Sequence, residues 1–360
     1  MSAGRGTSTG TRRPVTAPAR AGIGGGRGLT DHVMAQCGAN VEEVLPTLPV
    51  GTGVVISGKT ALEGMRQAKD AGWAGPCLVD RRRYAGTARA VAGDAITPGW
   101  VEDQRKAGAA RPLTDSGYVA DGDIGGLVNI LESAVRLGPD VIAVLPLHPS
   151  WLQDGLRRLI MEVRFHGCPV GLVIEHRADP FAVRCTLAGC IQLLRAVSVD
   201  VEVVQLCSDV SALGAVAFGA TAAAVGVRPS LRHLYPAGGG GFRRGVQAVL
   251  FDPGMAFVHV DKLARGVAAM PEDAMWLCDC MTCGGRRMDW LLYASEQEQR
   301  AHTFELLARR GDHLTSAAPG PVREQVWRAA CASAEYQFTS VAVARVGWEV
   351  PAALRHWQRI

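Results

Sequence analysis

The chain has 360 residues, of which 48% are hydrophobic and 20% charged. That is enough apolar surface for one large α/β domain or two smaller ones. A formal net charge of +4 points to no particular partner, and no apolar run is long enough to span a bilayer. Ten cysteines in this length do not suggest a disulfide scaffold, and most of the seven scattered ones sit in apolar stretches such as GPCLVD around Cys77 and HGCPVGLV around Cys168. They read as reduced, buried thiols of a cytoplasmic protein. Only Lys59, Lys69, Lys106 and Lys262 occur as lysines, so arginine carries nearly all the positive charge. Their spread along the chain suits a GC-rich coding sequence better than a dedicated phosphate surface.

Residues 1 to 28 are rich in Gly, Ser, Thr, Pro and Ala, with five arginines and no acid. Such a segment buries too little to offset its ordering entropy and is expected to be a disordered basic tail, inert or in loose contact with nucleic acid. It has no hydrophobic segment before a cleavage site and does not resemble a secretory signal. Between residues 29 and 245, continuous Ile/Val/Leu runs alternate with amphipathic stretches. The expected strands are Gly53–Ser57, Pro76–Asp80, Arg111–Asp115, Val141–Leu147, Val170–Glu175, Val201–Leu206 and Ala222–Val227. Gly126–Leu137 and Gly155–Phe165 read as helices between them. Unbroken apolar strands indicate parallel pairing covered on both faces. Seven or eight strand–helix units favour a (β/α)8 TIM-type barrel over an open sheet. No Gly-x-Gly-x-x-Gly opens a helix after the first strand, which disfavours a dinucleotide-binding domain. Gly238–Gly241 lacks the lysine of a phosphate loop.

The pattern changes after Gly245. Residues 246–251 and 255–261 read as two strands joined at Asp252-Pro253-Gly254. A cysteine cluster follows, then helices over 288–310 and 321–337. The expected organisation is thus a barrel over 29–245, a hairpin and zinc-binding subdomain over 246–310, and a C-terminal helical segment over 311–360.

The cluster Cys278-Asp279-Cys280-Met281-Thr282-Cys283-Gly284-Gly285 contains C-x-C-x2-C. Three thiolates this close converge on one tetrahedral ion, and the glycines free the backbone to turn around it. A redox pair or fortuitous thiols are the competing readings, and three cysteines inside six residues favour metal. His302, opening the apolar helix HTFELLARR, is the expected fourth ligand, with His313 as its competitor. A closed Cys3His site has no open position, so its zinc would be structural.

At these residues the chain resembles the tRNA-guanine transglycosylase family. Those enzymes are (β/α)8 barrels carrying a zinc subdomain late in the chain, with C-x-C-x2-C and a histidine opening the next long helix. The lead-in FVHVDKLARGVAAMPEDAMWLCDCMTC is similar to the family's approach to that motif. Leu113-Thr114-Asp115-Ser116-Gly117 resembles its T-D-S-G-G-F-Q at a barrel strand end. VVQLCSDVSALGAVAFGATAAAVGVRPSLR resembles the segment before its nucleophile strand. Together these cover residues from about 111 to 310. The resemblance implies replacement of a guanine by a 7-deazaguanine, one aspartate handling base and protons and a second attacking the sugar. It makes Asp115 the catalytic acid and Ser116, Gly117 and Tyr118 base-contacting neighbours. Gly117 would let a flat base approach the backbone, and Tyr118 would stack on the base or narrow the pocket. A helix cap is the plain alternative for Asp115.

The family's second aspartate would fall near Val225 and its base-recognising acid near Pro146, where this chain has no acid. Glu175, Asp179 and Asp209, at expected strand ends, are the other candidates, although solvated loop acids are the commoner finding. The divergence is similar in character to the DNA-modifying branch, which implies DNA before tRNA as substrate, free 7-deazaguanine as co-substrate, and room for a protein partner. Arg228, Arg232, Arg243 and Arg244 are expected to contact phosphates, or else form a solvated surface. A non-catalytic nucleic-acid-binding subunit and a zinc-stabilised barrel enzyme acting on a small nucleobase are the competing functions.

Overall fold

A computed structural model describes residues 28–238, 248–344 and 347–360. The basic tail before residue 28, and with it Arg243 and Arg244, lies outside the described residues. Seven parallel strands build one curled sheet: β1 (His32–Cys37), β2 (Gly53–Ser57), β3 (Cys77–Asp80), β4 (Ala143–Leu147), β5 (Val170–Ile174), β6 (Val203–Ser208) and β7 (Ala222–Gly226). Their order is β3-β2-β1-β7-β6-β5-β4, with the first and last strands of the series paired in register from His32 opposite Ala222 to Gln36 opposite Gly226. β1 was not among the expected strands.

Alternation along each strand divides the side chains between two apolar layers, as a period of two requires. Met34, Val55, Leu78, Val144, Val173, Val204 and Ala224 fill the concave side together with Leu113. Ala35, Val54, Val79, Leu145, Leu172, Val203 and Val225 pack outward against the helices. Both faces are dry, which explains why the runs read as continuous rather than alternating.

Arg111–Asp115 is not a regular strand. Leu113 makes a single parallel bridge to Ile142, through Thr114 N to Ile142 O and Ile142 N to Pro112 O. On the other side Ala110 N donates to Cys77 O of β3. The Gln104 side chain then takes both backbone groups of Leu113, accepting from its N at 2.9 Å and donating to its O at 2.8 Å. A buried glutamine therefore does the work of a neighbouring strand, and no ladder can extend there.

Helix ends follow local chemistry. Asp123 caps Ile124–Leu137 by accepting from Gly126 N. Gly167, at φ 64°, terminates Leu156–His166. The expected helix over 288–310 is two elements, a 3-10 stretch Met288–Leu292 and the helix Glu296–Thr315. Ser295 and Glu298 form a reciprocal capping box that starts the second one afresh. The hairpin over 246–261 consists of β8 (Ala248–Phe251) and β9 (Ala256–His259), followed directly by a helix, Val260–Ala269.

The late part of the chain shares one apolar core with the sheet's outer face, running through Phe251, Trp276, Trp327 and Trp357. Arg323 of the helix Pro321–Val343 forks onto both carboxylate oxygens of Asp31, just before β1. No helix among the described residues is long and apolar enough to cross a membrane.

Candidate metal centre and strand-end site

Cys278, Cys280, Cys283 and His302 come together in the core. Their donor atoms all lie within 4.8 Å of one another, and all four residues are buried. His302 Nδ1 lies 3.6, 3.5 and 3.2 Å from the three sulfurs in chain order. A tetrahedral ion holding thiolate and imidazole needs about 3.5 Å between those donors. The knuckle is local: Gly284 N donates to Cys280 O and Gly285 N to Cys278 O. Gly284 and Gly285 sit at φ 58° and 82°, where a side chain would be strained. His302 reaches the knuckle from the first turns of its capped helix. Its Nε2 faces Leu250 O of β8 at 2.9 Å, which fixes that nitrogen as the donor and turns the Nδ1 lone pair to the ion. Trp290 Nε1 donates to Cys283 Sγ at 3.4 Å. His313 is exposed and takes no part.

Burial pushes the His302 imidazole down, but its hydrogen bonds to the Cys280 and Cys283 sulfurs outweigh this and lift the group to about 9. Bonds from the Cys278 and Cys283 thiols push Cys280 down, favouring its thiolate. The cluster can therefore hold a metal ion once these protons leave.

The C-terminal ends of the sheet strands carry the second group of polar residues. Asp115 is buried and its oxygens are fully engaged. Oδ1 accepts from Thr97 N at 2.9 Å. Oδ2 accepts from Thr97 Oγ1 at 2.7 Å, Arg81 at 2.9 Å and Arg83 at 3.3 Å. Ser116 Oγ pairs with Thr114 Oγ1 at 2.7 Å, which itself accepts from Val144 N. The space above Gly117 is filled by protein: a Cβ there would lie 2.0 Å from Val91 O. This close approach, rather than a ligand, accounts for the glycine. Tyr118 donates to Glu175 Oε2 at 2.7 Å, and its ring is covered by the Arg89 guanidinium 3.4 Å from the centroid. The face expected to stack on a base is already occupied. The Asp-Ser-Gly-Tyr stretch is thus a bracket holding residues 91–97 to the sheet.

Of the expected phosphate contacts, Arg228 is exposed, with Glu296 at 3.5 Å. Arg232 is buried, stacked 3.7 Å from the Phe257 ring centroid and 3.9 Å from Asp209, so it does not present its charge to solvent. Val225, one residue before the end of β7, faces the outer helices. Pro146 lies within β4, paired with Val173.

Two acids fare differently. Asp179 and Asp209 stand on the loops after the adjacent strands β5 and β6. Burial first, and then the Asp209 charge, pushes Asp179 up to about 7. Asp209 Oδ2 lies 3.9 Å from both Arg232 Nε and His233 Nε2.

The run Asp80-Arg81-Arg82-Arg83-Tyr84 at the end of β3 escaped the sequence reading, although a charge block at a strand end is a visible signal. Asp80 accepts from Tyr84 OH and from Arg82 N. Burial pushes its carboxyl up, opposed by Arg82. Gln36 donates to Ser57 Oγ at 2.9 Å and accepts from Cys207 N at 2.6 Å. Arg82 and Cys207 both adopt left-handed backbone, at φ 55° and 53°. Two such residues in one cluster mark a place where the fold tolerates strain, a frequent property of working sites. No protein-family model and no characterised protein matches this chain.

Proposed function

We propose that this chain exchanges a guanine in nucleic acid, DNA before tRNA, for a 7-deazaguanine, and that zinc fills the Cys3His cluster as a structural ion. The curled sheet is read as a (β/α)8 barrel whose fourth position is the irregular segment 110–114, with the reaction at the strand C-terminal ends. The observation that carries the catalytic part is the carboxylate pair Asp179 and Asp209 on neighbouring strand-end loops. Base exchange needs one carboxylate ionised below the anomeric carbon and one acid able to protonate the departing base. A buried acid of raised proton affinity beside a second carboxylate meets that need, with Asp209 as nucleophile and Asp179 as proton holder. This moves the chemistry away from Asp115, whose oxygens are saturated. The zinc assignment draws on the donor spacing and on the sequence resemblance, which implies the same ligand types. In duplex DNA the target would have to leave the stack first.

A second reading, a binding subunit without exchange, draws on the absence of an acid at Val225 and on the internal use of Asp115. Incubating the protein with labelled 7-deazaguanine and either DNA or tRNA separates the two. Label is expected in DNA and lost in Asp209→Asn and Asp179→Asn. No label in any combination, with nucleic-acid binding intact, would leave only the binding subunit.

A further inference from the structure

Beside the strand ends lies a cleft of about 530 Å³ lined by Lys59, Arg81, Arg82, His233 and Tyr235, with Gly86, Thr87 and Ser230 among its other walls. None of its lining residues is a carboxylate. Arg81 is spent on Asp115. Lys59, in contrast, is exposed and makes no ion pair among the described residues. Arg82 is the more telling group. Its backbone N, not its guanidinium, satisfies Asp80 Oδ1, and Tyr84 takes the other oxygen. The guanidinium lines the cleft from beside Asp80 and the Tyr84 ring; one nitrogen donates to Ser230 O at 2.8 Å and the buried Nε has no hydrogen-bond partner. A buried donor without an acceptor is destabilising, so a ligand acceptor is the natural complement.

An unpaired lysine, a guanidinium with a buried unsatisfied N–H and a threonine hydroxyl together suit a phosphate oxygen cluster. We propose that this cleft is a phosphate-binding site taking a backbone phosphate of a nucleic-acid strand, with Tyr235 and Pro236 forming the wall for its sugar and base. The volume exceeds what a lone phosphate fills and fits a nucleotide unit. His233 joins the cleft to Asp209, at 3.9 Å, so a strand anchored here is delivered to the carboxylate pair. The inference rests on the nucleic-acid reading above, but its test does not depend on exchange activity.

Binding of a labelled 12-nucleotide single strand and of deoxyguanosine 5′-monophosphate is measured by anisotropy and calorimetry across a salt series. Wild type, Lys59→Gln, Arg82→Gln and the remote surface control Arg136→Gln are compared. Lys59→Gln, at an exposed position, keeps the test alive should Arg82→Gln unfold. The expected result is a five- to tenfold loss of strand affinity in Lys59→Gln, a salt slope smaller by about 0.7, and no change in the control. Retention of monophosphate binding by wild type, weakened by the same substitutions, identifies the phosphate itself as the ligand. Loss confined to the strand identifies a phosphodiester. Affinity within twofold of wild type in Lys59→Gln, with an unchanged slope, overturns the site. If the substitutions act as expected and no exchange occurs, the phosphate site stands and base exchange falls.

Discussion

Asp115→Asn distinguishes a structural bracket from a catalytic acid. The asparagine can keep the bond from Thr97 N through its carbonyl. Its amide nitrogen then replaces Oδ2, which now accepts from Thr97 Oγ1, Arg81 and Arg83. The threonine hydroxyl can rotate to accept, but the guanidinium donors cannot, and donor faces donor in a buried position. The arginine side chains are 39% and 28% exposed, so each lost pair is screened and contributes only about 0.5–1 kcal/mol. The misplaced amide adds about 1–3 kcal/mol. The sum is a destabilisation of roughly 2–5 kcal/mol. Urea unfolding followed by tryptophan fluorescence should show a lower midpoint at an unchanged slope. Asp115→Ala, which removes every acceptor, should cost more. An Asp115→Asn protein within about 0.5 kcal/mol of wild type, an ordinary surface-substitution effect, would refute the bracket and return the carboxylate to chemistry.

Metal analysis should find about one zinc per chain, lost in Cys280→Ala and retained in His313→Ala. Trp290→Phe, which removes a donor to Cys283 Sγ, should weaken zinc binding by roughly 10–100-fold in a chelator competition. Gly117→Ala drives a Cβ into the Val91 carbonyl and should cost about 3 kcal/mol or more, read as a fall in Tm; a neutral effect would mean that residues 90–92 are not held there. Asp179→Asn should stabilise the protein at alkaline pH. The wild-type carboxyl has a raised proton affinity in the fold, so its favourable contribution is complete below the unfolded value near 4 and is lost as pH rises to about 7. The Tm difference between variant and wild type should grow over that window and stay constant above it; a difference independent of pH would remove the buried acid.

The candidate metal ligands were legible because their chemistry is local. Cys278, Cys280 and Cys283 lie within one turn of chain, and their spacing needs no knowledge of the fold. The choice of His302 over His313 was firmer in three dimensions, since the fold brings the His302 ring to the three sulfurs and to Leu250 O and leaves His313 exposed. Most strands were legible too, because a strand dry on both faces must be a continuous apolar run. β1 hid because HVMAQC mixes a histidine and a glutamine into that pattern, and Gln36 is buried for its bonds to Ser57 and Cys207. The strand expected at Arg111–Asp115 was altered by a side chain 9 residues away from Leu113, Gln104, which no local pattern reports. The same holds for the strand-end residues. A sequence states which groups are present, but not which are already used. Asp115 looked available and is saturated; Gly117 looked open and is filled by Val91; Arg232 looked exposed and is buried on Phe257. Arg82 drew no notice and keeps a free buried donor. Pairing of this kind depends on segments far apart in the chain meeting at one mouth, and only the tertiary structure brings them there.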